Sequence, residues 1–141
     1  MNDNILDIYR LLQELAWHFG NRGFDGQCCE DLSLVEFMAL KTIYEKKDTS
    51  IQDIGVALNF SKSGATRIVD RLENKGYLVR QRSPVDGRIC CVNITEDGSE
   101  AIGRITDKNA SDLGEALSDL EPEKIDQIRE ALQILANAIK R

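Results

Sequence analysis

Ser61-Lys-Ser-Gly-Ala-Thr-Arg-Ile-Val-Asp-Arg-Leu-Glu-Asn-Lys-Gly76 decides the fold. Ser61 is a helix-capping residue, because its side-chain oxygen can accept from an unpaired N–H in the first turn. Gly76 suits the left-handed position that ends a helix. Wound at ~100° per residue, the stretch sorts into two faces. Ala65, Ile68, Val69 and Leu72 gather on one; Ser63, Thr66, Arg67, Asp70, Arg71 and Asn74 lie on the other. The hydroxyls, Lys62 and Arg67 cluster near the N-terminal end, where the helix dipole is positive. One face holds the helix down, and the other is short and donor-rich enough to enter a groove.

Upstream, Ser50 and Asp53 form a capping-box pattern at the start of a short helix, Ile51 to Leu58. Ile51, Ile54 and Leu58 are expected to face a core, and Gly55 permits a close helix approach. Asn59-Phe60 makes a tight turn into Ser61, so the two helices form a helix-turn-helix. Downstream, Leu78–Arg82 and Arg88–Ile94 read as strands joined by the turn-rich Ser83–Gly87. Alternation puts Cys90, Val92 and Ile94 inside and Cys91 and Asn93 outside.

The flanks read as helices. From Asn4 to about Phe19, Ile5, Ile8, Leu12, Leu15 and Phe19 repeat at helical spacing, and Leu6, Leu11 and Trp17 widen the stripe. A helix this apolar has to be covered on more than one side, by its own chain or by a partner. Gly20, Gly23 and Gly26 open a loop expected to include Cys28-Cys29. Ser33 with Glu36 predicts a second capping box, followed by a buried stripe of Leu34, Phe37, Met38 and Tyr44. Thr95 caps a helix running to about Ser118. Pro122 opens a last helix in which Ile125, Ile128, Leu132, Leu135 and Ile139 recur close to a heptad. The fold class expected is mainly α with a small β-wing: a winged helix-turn-helix lobe plus a helical dimerisation region.

The 141 residues suit a single chain with its own core, without metals or disulfides. The net charge is −6, but it is unevenly spread. Between Ser61 and Cys90 seven basic residues face three acidic ones, a net of +4, and the remainder carries −10. A basic face on an acidic body can bind phosphates while the body resists non-specific contact. No apolar run reaches the ~18 residues of a membrane span, and the acidic N-terminus does not read as a signal peptide, so a cytoplasmic location is expected. The adjacent pairs Cys28-Cys29 and Cys90-Cys91 are expected to stay thiols there, since neighbouring cysteines rarely bridge each other. Their spacing is no zinc pattern. With one histidine, His18, and no phosphate loop or dinucleotide fingerprint, neither an enzyme nor a cofactor is expected.

The chain resembles the MarR family of winged helix-turn-helix transcriptional regulators. The resemblance rests on Ser61 to Arg80, on Asp86-Gly-Arg88 and on Ile94-Thr-Glu-Asp-Gly98, in that order and spacing. It implies a single MarR-like chain over 1–141, with a DNA-binding lobe at 33–95 and helical dimerisation regions at 1–20 and 96–141. It implies a homodimer on double-stranded DNA with a roughly palindromic operator, acting as an effector-relieved repressor. The helix from Ser61 would lie in the major groove. Ser61, Lys62, Ser63, Thr66 and Arg67 would contact bases or phosphates; Gln52 would meet the backbone. Arg88 would reach the minor groove, oriented by Asp86. A small-molecule effector pocket could draw on Trp17, His18, Phe37 and Tyr44, which core packing explains better.

Two rival readings stand beside this one. In the first, Cys28, Cys29, Cys90 and Cys91 act as thiol sensors of oxidants, metals or metalloids, should the two pairs approach each other. In the second, the winged helix binds protein instead of DNA, against which the arginine wing counts.

Overall fold

The structure is a computed structural model and describes residues 2–20, 27–83, 85–88 and 90–140. The chain divides into two compact units, residues 1–105 and 106–141.

The first unit opens with α1 (Asp3–Gly20), one residue longer at each end than the sequence pattern predicts, and none of its residues is buried. A hairpin follows: β1 (Gln27–Cys29) pairs antiparallel with β2 (Leu32–Ser33). The first cysteine pair therefore sits in a strand, not in the expected loop. Glu30, at φ 58°, turns the hairpin through the left-handed region.

Ser33 caps α2 (Leu34–Glu45) with the predicted capping box: its hydroxyl accepts from the Glu36 N–H, and Glu36 accepts from the Ser33 N–H at 3.0 Å. The buried stripe of α2 differs from the expected one. It is Glu36, Ala39, Leu40 and Ile43, whereas Leu34, Met38 and Tyr44 are exposed and Phe37 only half-buried. Leu34 and Met38 fall on the far side of the helix, since ~100° per residue sets them away from Ile43, Leu34 directly opposite it. The sequence offered apolar residues on both sides, and the elements packed over α2 chose between them.

Next come β3 (Thr49–Ser50), α3 (Ile51–Leu58), α4 (Lys62–Asn74), β4 (Leu78–Arg82), β5 (Cys90–Ile94) and α5 (Glu96–Ala116), which runs on into the second unit. Beyond the predicted hairpin, β3 adds a third strand, in the order β3-β5-β4. Thr49 lies opposite Val92; Leu78 lies opposite Ile94 and Arg82 opposite Cys90. Ile54, Val69, Leu72, Leu78, Val92 and Ile105 meet Leu40 and Ile43 in one core. Ile51 and Leu58 pack at its edge, as expected. Thr95 caps α5, its hydroxyl accepting from Gly98 N–H at 3.1 Å.

The second unit holds the remainder of α5 and α6 (Pro122–Ile139), with Pro122 at its first turn. No residue of α6 is buried, and Ile125, Ile128, Leu132 and Ile139 are exposed. No described helix is long and apolar enough to cross a membrane.

Candidate nucleic-acid interface

The helix-turn-helix is held by three local devices. Ser50 and Asp53 close a capping box at the head of α3. Asn59 takes a left-handed conformation at φ 58°, which asparagine tolerates better than most residues. Ser61 then accepts from Gly64 N–H at 3.1 Å and starts α4. At the other end Gly76 turns at φ 81°. Gly55 lets α4 close in, because a methyl group there would already lie 3.1 Å from the Phe60 carbonyl oxygen.

Ala65, Ile68, Val69 and Leu72 are the four buried residues of α4, the face read from the sequence. Lys62, Ser63, Arg67, Asp70, Arg71 and Asn74 are exposed and Thr66 half-exposed. The hydroxyl of Ser63 is 3.2 Å from that of Ser61. Ser61 oxygen is thus committed to the helix start. Thr66 donates its hydroxyl to the Lys62 carbonyl at 2.9 Å.

On the wing, Asp86 accepts from the Arg88 N–H at 3.0 Å and from its Nε at 3.3 Å. The Arg88 side chain is nonetheless 92% exposed. Arg88 and Thr66, with Gln52, Lys62, Ser50 and Cys91, line one cleft of about 610 Å³ between the helix-turn-helix and the wing. Gln52, Lys62, Thr66 and Arg88 are thereby brought together. Ser61, Ser63, Arg67 and Asp86 lie outside the cleft wall.

The seven basic residues of this segment separate into two groups. Arg80 donates to Glu73 Oε1 at 2.6 Å and to Asp70, and its backbone N–H also reaches Glu73. The Asp70 hydrogen bond, with help from Glu73 and against partial burial, raises the Arg80 pKa above its ordinary value. This clamp pins β4 to α4. Arg71, a near neighbour of both acids on α4, pairs with neither, since β4 brings Arg80 to them. Lys75 pairs with Glu36 at 3.1 Å and donates to the Asp31 carbonyl. Among the described residues, no acid pairs with Lys62, Arg67, Arg71 or Arg82. These four and Arg88 are the charges left to face a partner.

Sequence reasoning missed a polar brace behind the wing. Asn93 donates to Asp48 and to Gln81, both at 3.0 Å, and accepts from Asp48 N–H at 2.9 Å. Cys91, expected on the outside, is buried, at 3% exposure, opposite Ser50 and Gln81. It forms no disulfide, whereas Cys29 is disulfide-bonded, which corrects the expectation of four thiols. Cys29 and Cys91 lie in different sheets. The side chains of Cys28 and Cys90 lie outside the described residues. Trp17 is 72% exposed and Tyr44 also exposed, so neither is the core residue expected. His18 meets Phe19 edge-on at 5.2 Å.

The family model described as the MarR family matches residues 32–90, from β2 to the start of β5. The HTH-type transcriptional regulator MhqR of Bacillus subtilis (strain 168) is 33% identical over 102 residues, 72% of this chain and 70% of MhqR. The chain belongs to the MarR family. The transcriptional repressor MprA of Escherichia coli (strain K12) is 35% identical over 101 residues, 68% of this chain and 57% of MprA. Streptococcus pneumoniae FabT, solved in complex with DNA, shares the fold at a TM-score of 0.77 and 18% identity, over 98% of this chain and 96% of FabT. This MarR chain is thus a transcriptional regulator and not an enzyme, and its reading helix and wing have the expected architecture.

Proposed function

We propose that this MarR chain is a sequence-specific DNA-binding regulator, a homodimeric repressor that an effector relieves from a palindromic operator. The observation that carries the DNA reading is the sorting of charge. Internal acids hold Lys75 and Arg80, while Lys62, Arg67, Arg71, Arg82 and Arg88 stay presented beside an outward helix face. A reading helix in the major groove would set Ser63, Thr66 and Arg67 toward base edges, where a guanidinium can pair with two acceptors of guanine. The preceding helix would cross the backbone, with Gln52, Ser61 and Lys62 toward phosphates. Arg88, steadied by Asp86, would enter the adjacent minor groove, whose narrow A·T-rich stretches attract arginine.

The homodimer reading rests on uncovered apolar surface. Ile5, Ile8, Tyr9, Leu11, Leu15 and Trp17 of α1 are all exposed, and so are Ile125, Ile128, Leu132 and Ile139 of α6. Isolated apolar residues at a surface are ordinary, but two helices without one buried residue ask for a partner. A dimer covering an operator would block transcription, and the relative MprA is described as a repressor. An effector would bind where Trp17, Gln13 and Gly20 line an open groove on α1.

DNA affinity measured against salt tests the central reading. A dimer neutralising several phosphates gives a steep negative log–log slope, about 0.9 per phosphate contacted; a flat line would sink it in favour of a protein-binding module. One observation favours a second reading, thiol sensing: Cys91, a thiol outside any disulfide, is buried on the cleft between wing and reading helix. If Cys91→Ser leaves oxidant-driven DNA release unchanged, that second reading falls.

A further inference from the structure

Arg82 is one of the presented charges, but unlike Lys62, Arg67 and Arg88 it has so far been given no contact of its own. It is exposed on β4 and, among the described residues, has no acidic partner. Its place relative to α4 follows from its neighbours. On α4, Lys62, Thr66, Asp70 and Glu73 succeed one another along a single flank, at steps of three or four residues. Arg80 docks on that flank at Asp70 and Glu73. Arg82 lies two residues further along β4, on the same strand face as Arg80. Two strand residues advance ~7 Å, and the same advance along a helix takes between four and five residues. Counted back from Asp70, that brings Arg82 level with Thr66. The end of β4 borders the cleft, for Ser83, which follows Arg82 and alternates to the other side of the chain, lines it together with Thr66 and Lys62. Arg82 therefore stands at the rim of the gap between reading helix and wing.

We propose that Arg82 is a phosphate clamp for the DNA strand that crosses this gap. The inference rests on the DNA-binding reading given above. With α4 in a major groove and the wing in the neighbouring minor groove, one sugar-phosphate strand separates the two grooves. That strand has to pass over the gap. A guanidinium at its rim with no internal acid meets a phosphate and forms the charge-assisted, two-pronged contact that arginine favours. The contact fixes register and carries no sequence information. Arg80, two residues away, is poorly suited, because two carboxylates, Asp70 and Glu73, already hold its guanidinium and offset its charge.

The test compares wild type, Arg82→Ala and Arg82→Lys on a duplex selected by the wild-type protein from a random pool, and on an unrelated duplex. Affinity is measured across a salt series, and thermal melting checks the fold. Arg82→Ala should weaken binding to both duplexes by a similar factor. It should flatten the log–log salt slope by about 0.9 per protomer, while the selected sequence stays the same. Arg82→Lys should restore the slope. An unchanged slope in Arg82→Ala overturns the clamp, as does a changed sequence preference, which would make Arg82 a base reader. If wild type itself shows no salt-steep binding, the DNA-binding reading fails; if wild type is steep and Arg82→Ala equally steep, only the clamp fails.

Discussion

Single residues decide what this surface offers to a partner, by whether an internal acid holds a charge and by how far it still reaches into solvent: Arg88 pairs with Asp86 yet its side chain is 92% exposed. Arg67 on the helix and Arg88 on the wing are the two exposed arginines proposed to reach into the grooves. Arg67→Ala should cost ~1–3 kcal/mol of affinity at the specific operator and relax preference at one base pair, measured by binding to single-substituted sites. Arg88→Ala should instead weaken operators with A·T-rich flanks, and equal affinity for A·T and G·C flanks in wild type would contradict its role. Glu36 shows the opposite use of charge. It is buried at the head of α2, and burial pushes its pKa up. The Ser33 backbone N–H, Lys75 and the Ser33 hydroxyl outweigh burial and hold its pKa below the ordinary carboxylate value. The unfolded chain therefore takes up this proton first as pH falls. The stabilisation is fully present above the ordinary glutamate pKa of about 4.3 and drains away as pH drops through the folded value. Glu30 behaves alike, lowered chiefly by its hydrogen bond from Arg104. In urea unfolding below pH 5, Glu36→Gln should show a shallower acid loss than wild type, though it is less stable at pH 7.

At the scale of elements, α4 and the wing act as one piece because several short contacts lock them. Arg80 ties β4 to Asp70 and Glu73 of α4. The loop after α4 is then clasped by α5: Thr95 donates to the Gly76 carbonyl at 2.7 Å, and its N–H reaches Tyr77 at 3.1 Å. Gly98 makes this clasp possible. A methyl group there would lie 2.8 Å from Ile94 and closer still to the Tyr77 carbonyl oxygen. Backbone cannot yield as a side chain does, so Gly98→Ala should destabilise by at least ~1–3 kcal/mol, the usual range for overpacking. A melting temperature within a degree of wild type would show that α5 can slide away. The caps are smaller levers: Ser50→Ala should cost ~1 kcal/mol, read by the same melt. The β1–β2 turn adds a second tie, with Glu30 paired to Arg104 of α5 at 2.7 and 2.9 Å and Asp31 accepting from the Tyr77 hydroxyl at 3.0 Å. Both turn residues are polar and were invisible as an element in a stretch that glycines mark as loop.

For the whole molecule, the uncovered apolar faces of α1 and α6 carry the proposal of a dimer. Replacing Ile8 and Leu15 of α1 together by Asp should yield a monomer in sedimentation and abolish tight operator binding, with the secondary structure of the lobe retained. A variant that still sediments as a dimer would remove α1 from the interface. The parts of the fold legible in advance are those governed by neighbours within about a turn. The capping boxes at Ser33 and Ser50, the Asn59 turn, the Gly76 stop and the two faces of α4 depend on spacing alone, and spacing is written in the chain. The stripe of α2 was not legible, because apolar residues stand on both its sides and only the packed elements select one. The fate of the cationic residues was hidden for the same kind of reason. Lys75 and Glu36 lie far apart in sequence, as do Arg104 and Glu30, and no periodicity announces such pairs. Cys91 was placed on the outer face by alternation, yet that face is covered too, by the approach of α3 and α4. By itself the sequence determined the helix-turn-helix, the wing and the residues turned outward from α4, through local hydrogen bonding and helical period. Only the tertiary structure decided which basic residues stay free for a partner, since a charge is spent or spared by acids that folding alone brings within reach.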